Sequence, residues 1–210
     1  MIVALLRHGR TEWNDARRLQ GRADVPLSAA GRAQVRAWCL PADLASARFV
    51  ASPLARAAET AQLLAGAAPA IEPDLVEMDW GQWEGETFTS LRETVGAAFA
   101  AAEARGLDFR PPGGESPRDV QRRVTRWFAR IAGEAGPIVA VTHNGVLRAL
   151  LAQLTGWQML GKPPVRLARD CAHLMEVAPT GAVYATAWNV PLRAQPDLTA
   201  PIAPARPPAA

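Results

Sequence analysis

Three short, uninterrupted apolar runs constrain the fold of this 210-residue chain more than any other feature. They span residues 2–6, 49–51 and 138–141, and none is long enough for an ordinary helix. A short continuous apolar run is typical of a strand buried on both faces, as strands are in a parallel sheet. We therefore predict a sheet whose central strands are covered by helices on both sides.

Helical segments alternate with these apolar runs. Ser52 and Pro53 form a cap-plus-proline pair, and the same pair recurs at Ser116 and Pro117. The predicted helices span 28–40, 53–65, 87–105 with a break near Gly96, 117–131 and 146–154. Two late strands are predicted over 174–177 and 183–188, and a mostly irregular loop over 71–88.

This alternation predicts an α/β fold, a three-layer sandwich in which helices flank a mostly parallel central sheet. One domain is expected over residues 1–190. Proline and alanine dominate residues 191–210, so we predict a disordered or loosely draped tail there.

Composition excludes several classes of protein. Apolar residues make up 49% of the chain and charged residues 20%, which is typical of a globular domain. The two cysteines, Cys39 and Cys171, are far apart, so neither a disulfide framework nor a zinc site is expected, and a cytoplasmic location fits best. No apolar stretch approaches the length of a membrane span. The net charge is only +3 and the arginines are scattered, so no nucleic-acid partner is expected.

Polar side chains follow the three buried runs directly. Arg7 and His8 follow the first run, Ser52 and Arg56 the second, and His143 the third. Ligands of open α/β sheets collect at the carboxyl ends of the strands. If these strands are parallel neighbours, the side chains of Arg7, His8, Arg56 and His143 share one edge of the sheet.

Two guanidinium and two imidazole groups at one edge would form a site for a tetrahedral anion such as phosphate. Arg56 also lies in the first turn of a predicted helix, where negative charge is favoured. Neighbouring guanidinium groups disfavour the charged form of His8, and a neutral imidazole beside a phosphoryl group is a candidate nucleophile. Such a reaction also requires an acid to protonate the leaving oxygen.

Six blocks of the sequence resemble, in order, those of the histidine phosphatase superfamily, the phosphoglycerate mutase-like proteins. The first is LRHGRTEWN at 6–14, which is similar to the RHG signature of that family. The others are GRADVPLSAAG at 21–31, SPLARAAETA at 52–61, EMDWGQWEG at 77–85, PGGES at 112–116 and VTHNGVLR at 141–148. The resemblance covers residues 1–190 and implies the phosphoglycerate mutase-like fold.

The resemblance implies a role for each matching position. His8 would accept the phosphoryl group as a phosphohistidine, with no metal and no cofactor. The phosphoryl oxygens would be held by Arg7, Asn14, Arg56 and His143. Glu77 would protonate the leaving group and then take a proton from water. Three nearby carboxylates stay open as alternatives for this acid: Asp79, Glu84 and Glu86.

Residues 80–111 are predicted to form a lid that selects the substrate. Substrate binding is assigned to Gly21, Trp80 and Trp83, although both tryptophans could equally pack under a loop. Two further residues, Glu115 and Ser116, are candidates for bracing the site. His173, in a predicted strand, is assigned a structural role.

The reaction and the substrate are less constrained. Mutases of the family carry a histidine and a tyrosine before the glycine of the acidic block, where this chain has Met78-Asp-Trp80. Arg10 and Arg17 are candidates for holding a second phosphate, but the lid itself offers few basic residues for it, namely Arg92, Arg105 and Arg110. We therefore expect hydrolysis of a small phosphorylated metabolite with an apolar or ring-bearing leaving group, as in broad-specificity or alpha-ribazole phosphatases. The alternatives are mutase chemistry and a non-catalytic protein that binds phosphorylated ligands; a homodimer is left open.

Overall fold

The computed structural model describes residues 1–194, which form eight strands and seven helices. The strands are β1 (Ile2–Arg7), β2 (Trp38–Cys39), β3 (Arg48–Ala51), β4 (Ala70–Ile71), β5 (Ile138–Thr142), β6 (Cys171–Val177), β7 (Val183–Pro191) and β8 (Arg193–Ala194). The helices are α1 (Glu12–Asp15), α2 (Ala29–Arg36), α3 (Ala55–Ala65), α4 (Phe88–Thr94), α5 (Ala97–Glu103), α6 (Pro117–Ile131) and α7 (Asn144–Thr155).

Six strands form the central sheet in the order β4-β3-β5-β1-β6-β7. The first four are parallel to one another, whereas β6 and β7 are antiparallel. In the registers of β5, Val141 pairs with Leu6 on one side and with Ala51 on the other. The three predicted strands are therefore parallel neighbours, and their carboxyl ends lie level at one edge of the sheet.

Two hydrophobic cores cover the two faces of this sheet. Val3 and Leu5 of β1 face the core that contains α4 to α7, whereas Ala4 and Leu6 face the core that contains α2 and α3. The side chains of a strand alternate between its two faces. Both sets are fully buried because helices cover both faces of the sheet. The α/β sandwich with a mostly parallel sheet is therefore confirmed. No helix within residues 1–194 is long and apolar enough to cross a membrane.

Two predicted helix bounds are wrong. Helix α2 ends at Arg36 rather than near residue 40, because Trp38 and Cys39 pair with β8 instead. Helix α3 begins at Ala55, because the Ser52 N–H donates to the Val141 carbonyl and thereby continues the sheet. The predicted breaks near Gly96 and before α6 are confirmed.

The first residues of the predicted tail, 191–194, include parts of two strands. Strand β7 extends to Pro191, and Arg193 pairs with Cys39 through β8. Pro191 thus pairs within the central sheet, and Arg193 and Ala194 pair with β2, a strand far away in the sequence. The rest of the tail prediction, for residues 195–210, lies outside the described residues.

His173 on β6 occupies a structural position. Its ring is fully buried and lies 5.6 Å from the Trp188 ring, and its Nδ1 accepts a hydrogen bond from the Asn189 N–H at 3.2 Å. Burial lowers the pKa of His173 to about 4. The ring is therefore neutral in the folded protein at neutral pH.

We expect His173 to make the protein sensitive to mild acid. In the unfolded state, His173 takes up a proton below a pKa of about 6.5, whereas in the folded state it does so only near its lowered pKa of about 4. The free energy of unfolding therefore falls as the pH falls between these two values. Between about pH 7 and pH 5 this one residue lowers the free energy of unfolding by about 2 kcal/mol. Urea unfolding at both pH values should show that the free energy of unfolding falls less for His173→Asn than for wild type. An equal loss in the two proteins would contradict this.

Candidate active site

His8 follows β1 at the carboxyl edge of the sheet and is almost completely buried. Its N–H donates to the Thr142 carbonyl at 3.0 Å, and its Nδ1 lies 2.7 Å from the Gly9 carbonyl oxygen. Because a carbonyl oxygen only accepts, Nδ1 carries the proton and Nε2 keeps its lone pair. Burial first, then the charges of Arg7 and Arg56, lower the pKa of His8 well below its usual value. His8 is therefore a neutral imidazole whose Nε2 has no hydrogen-bond partner within residues 1–194.

His143 lies directly beside His8, with 5.1 Å between the ring centroids. It is the N-cap residue of α7, and its Nε2 lies 2.7 Å from the Ser52 hydroxyl. Burial first, then the charges of His8 and Arg56, lower the pKa of His143 well below its usual value. Its Nδ1 is buried and has no hydrogen-bond partner within residues 1–194.

The two predicted phosphate-binding arginines flank His8. The side chain of Arg56 is fully buried, and its terminal nitrogens donate to the carbonyls of Gly21 and Ala23 at 2.8 Å each. Burial first, then the charge of Arg169, lower the pKa of Arg7 to about 10, so Arg7 stays cationic at neutral pH. In the described part of the chain, the Nε atoms of Arg7 and Arg56 are buried without a partner, as is His143 Nδ1. Buried polar atoms are normally paired, so these three atoms are left available to bind a ligand.

Glu77 faces the same cavity and is mostly buried. Its carboxylate accepts from the N–H groups of Met78 at 2.9 Å and Gly145 at 3.2 Å. None of the three alternative acids lines the cavity. Glu84 instead accepts from the backbone of residues 22 and 23, and Glu86 accepts from Ser90. Geometry thus favours Glu77 as the acid.

Glu115 holds the segment that carries Glu77. The Glu115 carboxylate accepts from the Asp79 N–H at 3.1 Å, and the Glu115 N–H donates to the Asp79 carbonyl at 3.0 Å. Arg123, itself almost fully buried, pairs with the same carboxylate at 3.2 Å. Ser116 caps α6 by accepting from the Asp119 N–H. Of the two residues predicted to brace the site, Glu115 contacts the segment that carries Glu77, whereas Ser116 caps α6.

A cavity of about 600 Å³ opens in front of these groups. Three of the remaining predicted residues line it: Asn14, Gly21 and Trp80. Gly21 has a φ of +50°, and a Cβ there would overlap the Glu84 carboxylate, so the loop requires glycine. Trp83 does not line the cavity. It is buried against Phe99 and Phe109, so the alternative of packing under a loop describes its position.

Comparison with known proteins connects this site to a family. The family model of the histidine phosphatase superfamily (branch 1) matches residues 3–190. The chain belongs to the histidine phosphatase superfamily.

The relatives of this superfamily member include named mutases and phosphatases. It is 35% identical over 168 residues to 2,3-bisphosphoglycerate-dependent phosphoglycerate mutase 2 of Gloeobacter violaceus, covering 73% of this chain and 75% of that protein. It is 38% identical over 181 residues to glucosyl-3-phosphoglycerate phosphatase of Mycolicibacterium vanbaalenii, covering 76% and 78%. Some mycobacterial relatives are longer, and the chain spans 43% of their length.

A solved structure shares the fold. It is mycobacterial glucosyl-3-phosphoglycerate phosphatase in complex with VO3, which is 28% identical to this chain with a TM-score of 0.72. The match covers 90% of this chain and 98% of that one.

Sequence reasoning missed several of the basic and apolar side chains that line the cavity, namely Arg18, Arg148, Arg169, Phe88, Phe109 and Met159. Of the two candidates outside the lid for holding a second phosphate, Arg17 lines the cavity and Arg10 does not. The arginines expected from the lid do not line it: Arg92 pairs with Glu103, and Arg110 donates to the Gly114 carbonyl. Helical spacing from Gly145 could have indicated Arg148, whereas no local signal marks Arg169.

Metal-ligating side chains are not clustered at the site. Within residues 1–194, no group of three or more His, Cys, Asp or Glu side chains is placed to hold a metal ion. The ionisable side chains that line the cavity are arginines, His8 and Glu77.

Proposed function

We propose that this chain is a phosphomonoester hydrolase that transfers the phosphoryl group of a small phosphorylated metabolite to His8 and then to water. The observation that carries this proposal is the buried, neutral His8 beside two arginines; in the described residues, neither His8 Nε2 nor the Nε atom of Arg7 or Arg56 has a hydrogen-bond partner. A nucleophile and its electrostatic partners are thus held together before any substrate binds.

The first step forms a bond between His8 Nε2 and phosphorus and breaks the bond between phosphorus and the leaving oxygen. Protonated Glu77 gives its proton to that oxygen, so the leaving group departs as an alcohol. Arg7, Arg56 and His143 hold the oxygens of the transferring group, and the Nδ1–H of His8 continues to donate to the Gly9 carbonyl.

The second step returns the site to its starting state. Water attacks phosphorus, the Glu77 carboxylate takes its proton, and the bond to His8 Nε2 breaks. Inorganic phosphate leaves, and Glu77 is again protonated. His143 serves as a donor in both steps if its proton is on Nδ1, the tautomer in which Nε2 accepts from the Ser52 hydroxyl.

Hydrolysis is favoured over mutase chemistry by the acidic block, in which Met78-Asp-Trp80 stands where mutases of the family carry another pattern. Aromatic side chains in the cavity, Trp80, Phe88 and Phe109, suit an apolar or ring-bearing leaving group. Mutase chemistry is the second candidate, because arginines outside the lid also line the cavity.

A panel of phosphomonoesters assayed with and without EDTA tests this function. We expect phosphate release from aryl and alkyl phosphates, and we expect EDTA to change the rate by less than about twofold because no step uses a metal-activated water. A rate that EDTA abolishes and a divalent cation restores would contradict metal independence. Interconversion of phosphoglycerates faster than phosphate release would favour the mutase.

A further inference from the structure

The cavity carries more positive charge than one phosphoryl group requires. Six arginines line it, with Glu77 as the one carboxylate among the described lining residues. Arg7 and Arg56 flank His8, and Arg169 lies close enough to Arg7 to lower its pKa. Arg7, Arg56 and Arg148 are removed from water far enough for burial to lower the pKa of each. Such charges are normally paired, so the bound ligand is expected to carry further negative charge.

Arg148 lines the cavity from the helix that contacts the proposed acid. It is on α7, three residues after Gly145, whose N–H donates to the Glu77 carboxylate at 3.2 Å. Unlike Arg7, Arg56 and Arg169, it is not among the charges that lower the pKa of His8. Because Glu77 is proposed to protonate the leaving oxygen, this placement suits Arg148 to the group attached to that oxygen rather than to the transferred phosphoryl group.

The guanidinium of Arg148 is held in place without a counter-charge. Its central carbon lies 4.9 Å from the centroid of the Trp157 ring, and the Trp157 Nε1–H donates to the Leu160 carbonyl at 2.9 Å. Burial lowers the pKa of Arg148, and within residues 1–194 no carboxylate offsets this effect. By contrast, Arg126 and Arg130 on α6 both pair with Asp74.

We propose that Arg148 forms a subsite for a carboxylate carried by the leaving group of the substrate. This inference rests on the proposed function, since it uses Glu77 to define the leaving-group side. A guanidinium group can bind a carboxylate with two parallel hydrogen bonds, and one cation balances one such anion. The cavity of about 600 Å³ has room for a leaving group that reaches from Glu77 to Arg148.

Two matched pairs of esters test the subsite. One pair is 3-phosphoglycerate and glycerol 3-phosphate, and the other is 3-carboxyphenyl phosphate and phenyl phosphate; each pair differs in the carboxylate. Calorimetric binding is measured to the His8→Ala protein, in which turnover does not interfere. We expect the carboxylated member of at least one pair to bind about tenfold or more tightly, and Arg148→Met in the same background to remove that preference.

Arg36→Met is the matched control, because Arg36 is an exposed arginine on α2 that is not among the residues lining the cavity. It should leave the preference intact. Equal binding within both pairs, no measurable binding, or a preference that survives Arg148→Met would overturn the subsite. Failure of the proposed function would appear separately, as no phosphate release from any ester by the wild-type protein.

Discussion

Replacement of His8 by alanine should lower kcat for phosphomonoester hydrolysis by about 10⁴-fold or more, as expected when a covalent nucleophile is removed. The Nε2 atom forms the bond to phosphorus, and no neighbouring group can replace it. His143, the nearest imidazole, has its Nε2 at 2.7 Å from the Ser52 hydroxyl, so that nitrogen is already engaged. Initial rates with phenyl phosphate measure the effect.

A matched histidine substitution separates chemistry from folding. His173→Asn also removes a buried imidazole, but one that does not line the cavity. Its kcat should stay within about threefold of wild type at neutral pH, since residues outside a site rarely change the chemical step strongly. Circular dichroism confirms that both variants fold. Comparable rates for His8→Ala and wild type would rule out catalysis through His8.

Glu77→Gln should reduce activity by an amount that depends on the leaving group. An alkoxide requires protonation as it leaves, so we expect a loss of about 10²- to 10⁴-fold with glycerol 3-phosphate. A nitrophenolate is stable as an anion, so the loss with 4-nitrophenyl phosphate should be far smaller. The ratio of kcat/KM for the two esters, measured in wild type and variant, reports this difference.

Glu86→Gln provides the control for this prediction. Glu86 was a competing candidate for the acid, but its carboxylate accepts from the Ser90 hydroxyl and is not among the lining residues. The substitution should leave the ratio of kcat/KM for the two esters unchanged. An equal loss with both esters in Glu77→Gln would show that Glu77 positions other groups rather than donating a proton.

The convergence of the site could be predicted because it depends on local features. A buried strand is encoded by a short apolar run, and the residues that follow it must lie at the edge of the sheet. Once β1, β3 and β5 are parallel neighbours, His8, Arg56 and His143 lie close together, and this does not depend on the conformation of the loops. Glu77 lies on an irregular segment and was assigned only through the resemblance to the family.

Other features could not be predicted because they depend on contacts between distant residues. Helix α2 ends early because Trp38 pairs with Ala194, and that pairing leaves no mark in the sequence near residue 38. Trp83 is buried because Phe99 and Phe109 pack against it from across the lid. Arg169 lines the cavity from a segment without regular structure.

Rapid quenching of the enzyme during turnover, followed by peptide mass spectrometry under alkaline conditions, tests the central claim most directly. Phosphohistidine survives alkali, so the covalent intermediate can be located on the chain. We predict a phosphoryl group on the peptide that contains His8, absent in His8→Ala. A phosphoryl group on any other side chain, or turnover with no phosphorylated peptide at any quench time, would contradict the proposed mechanism.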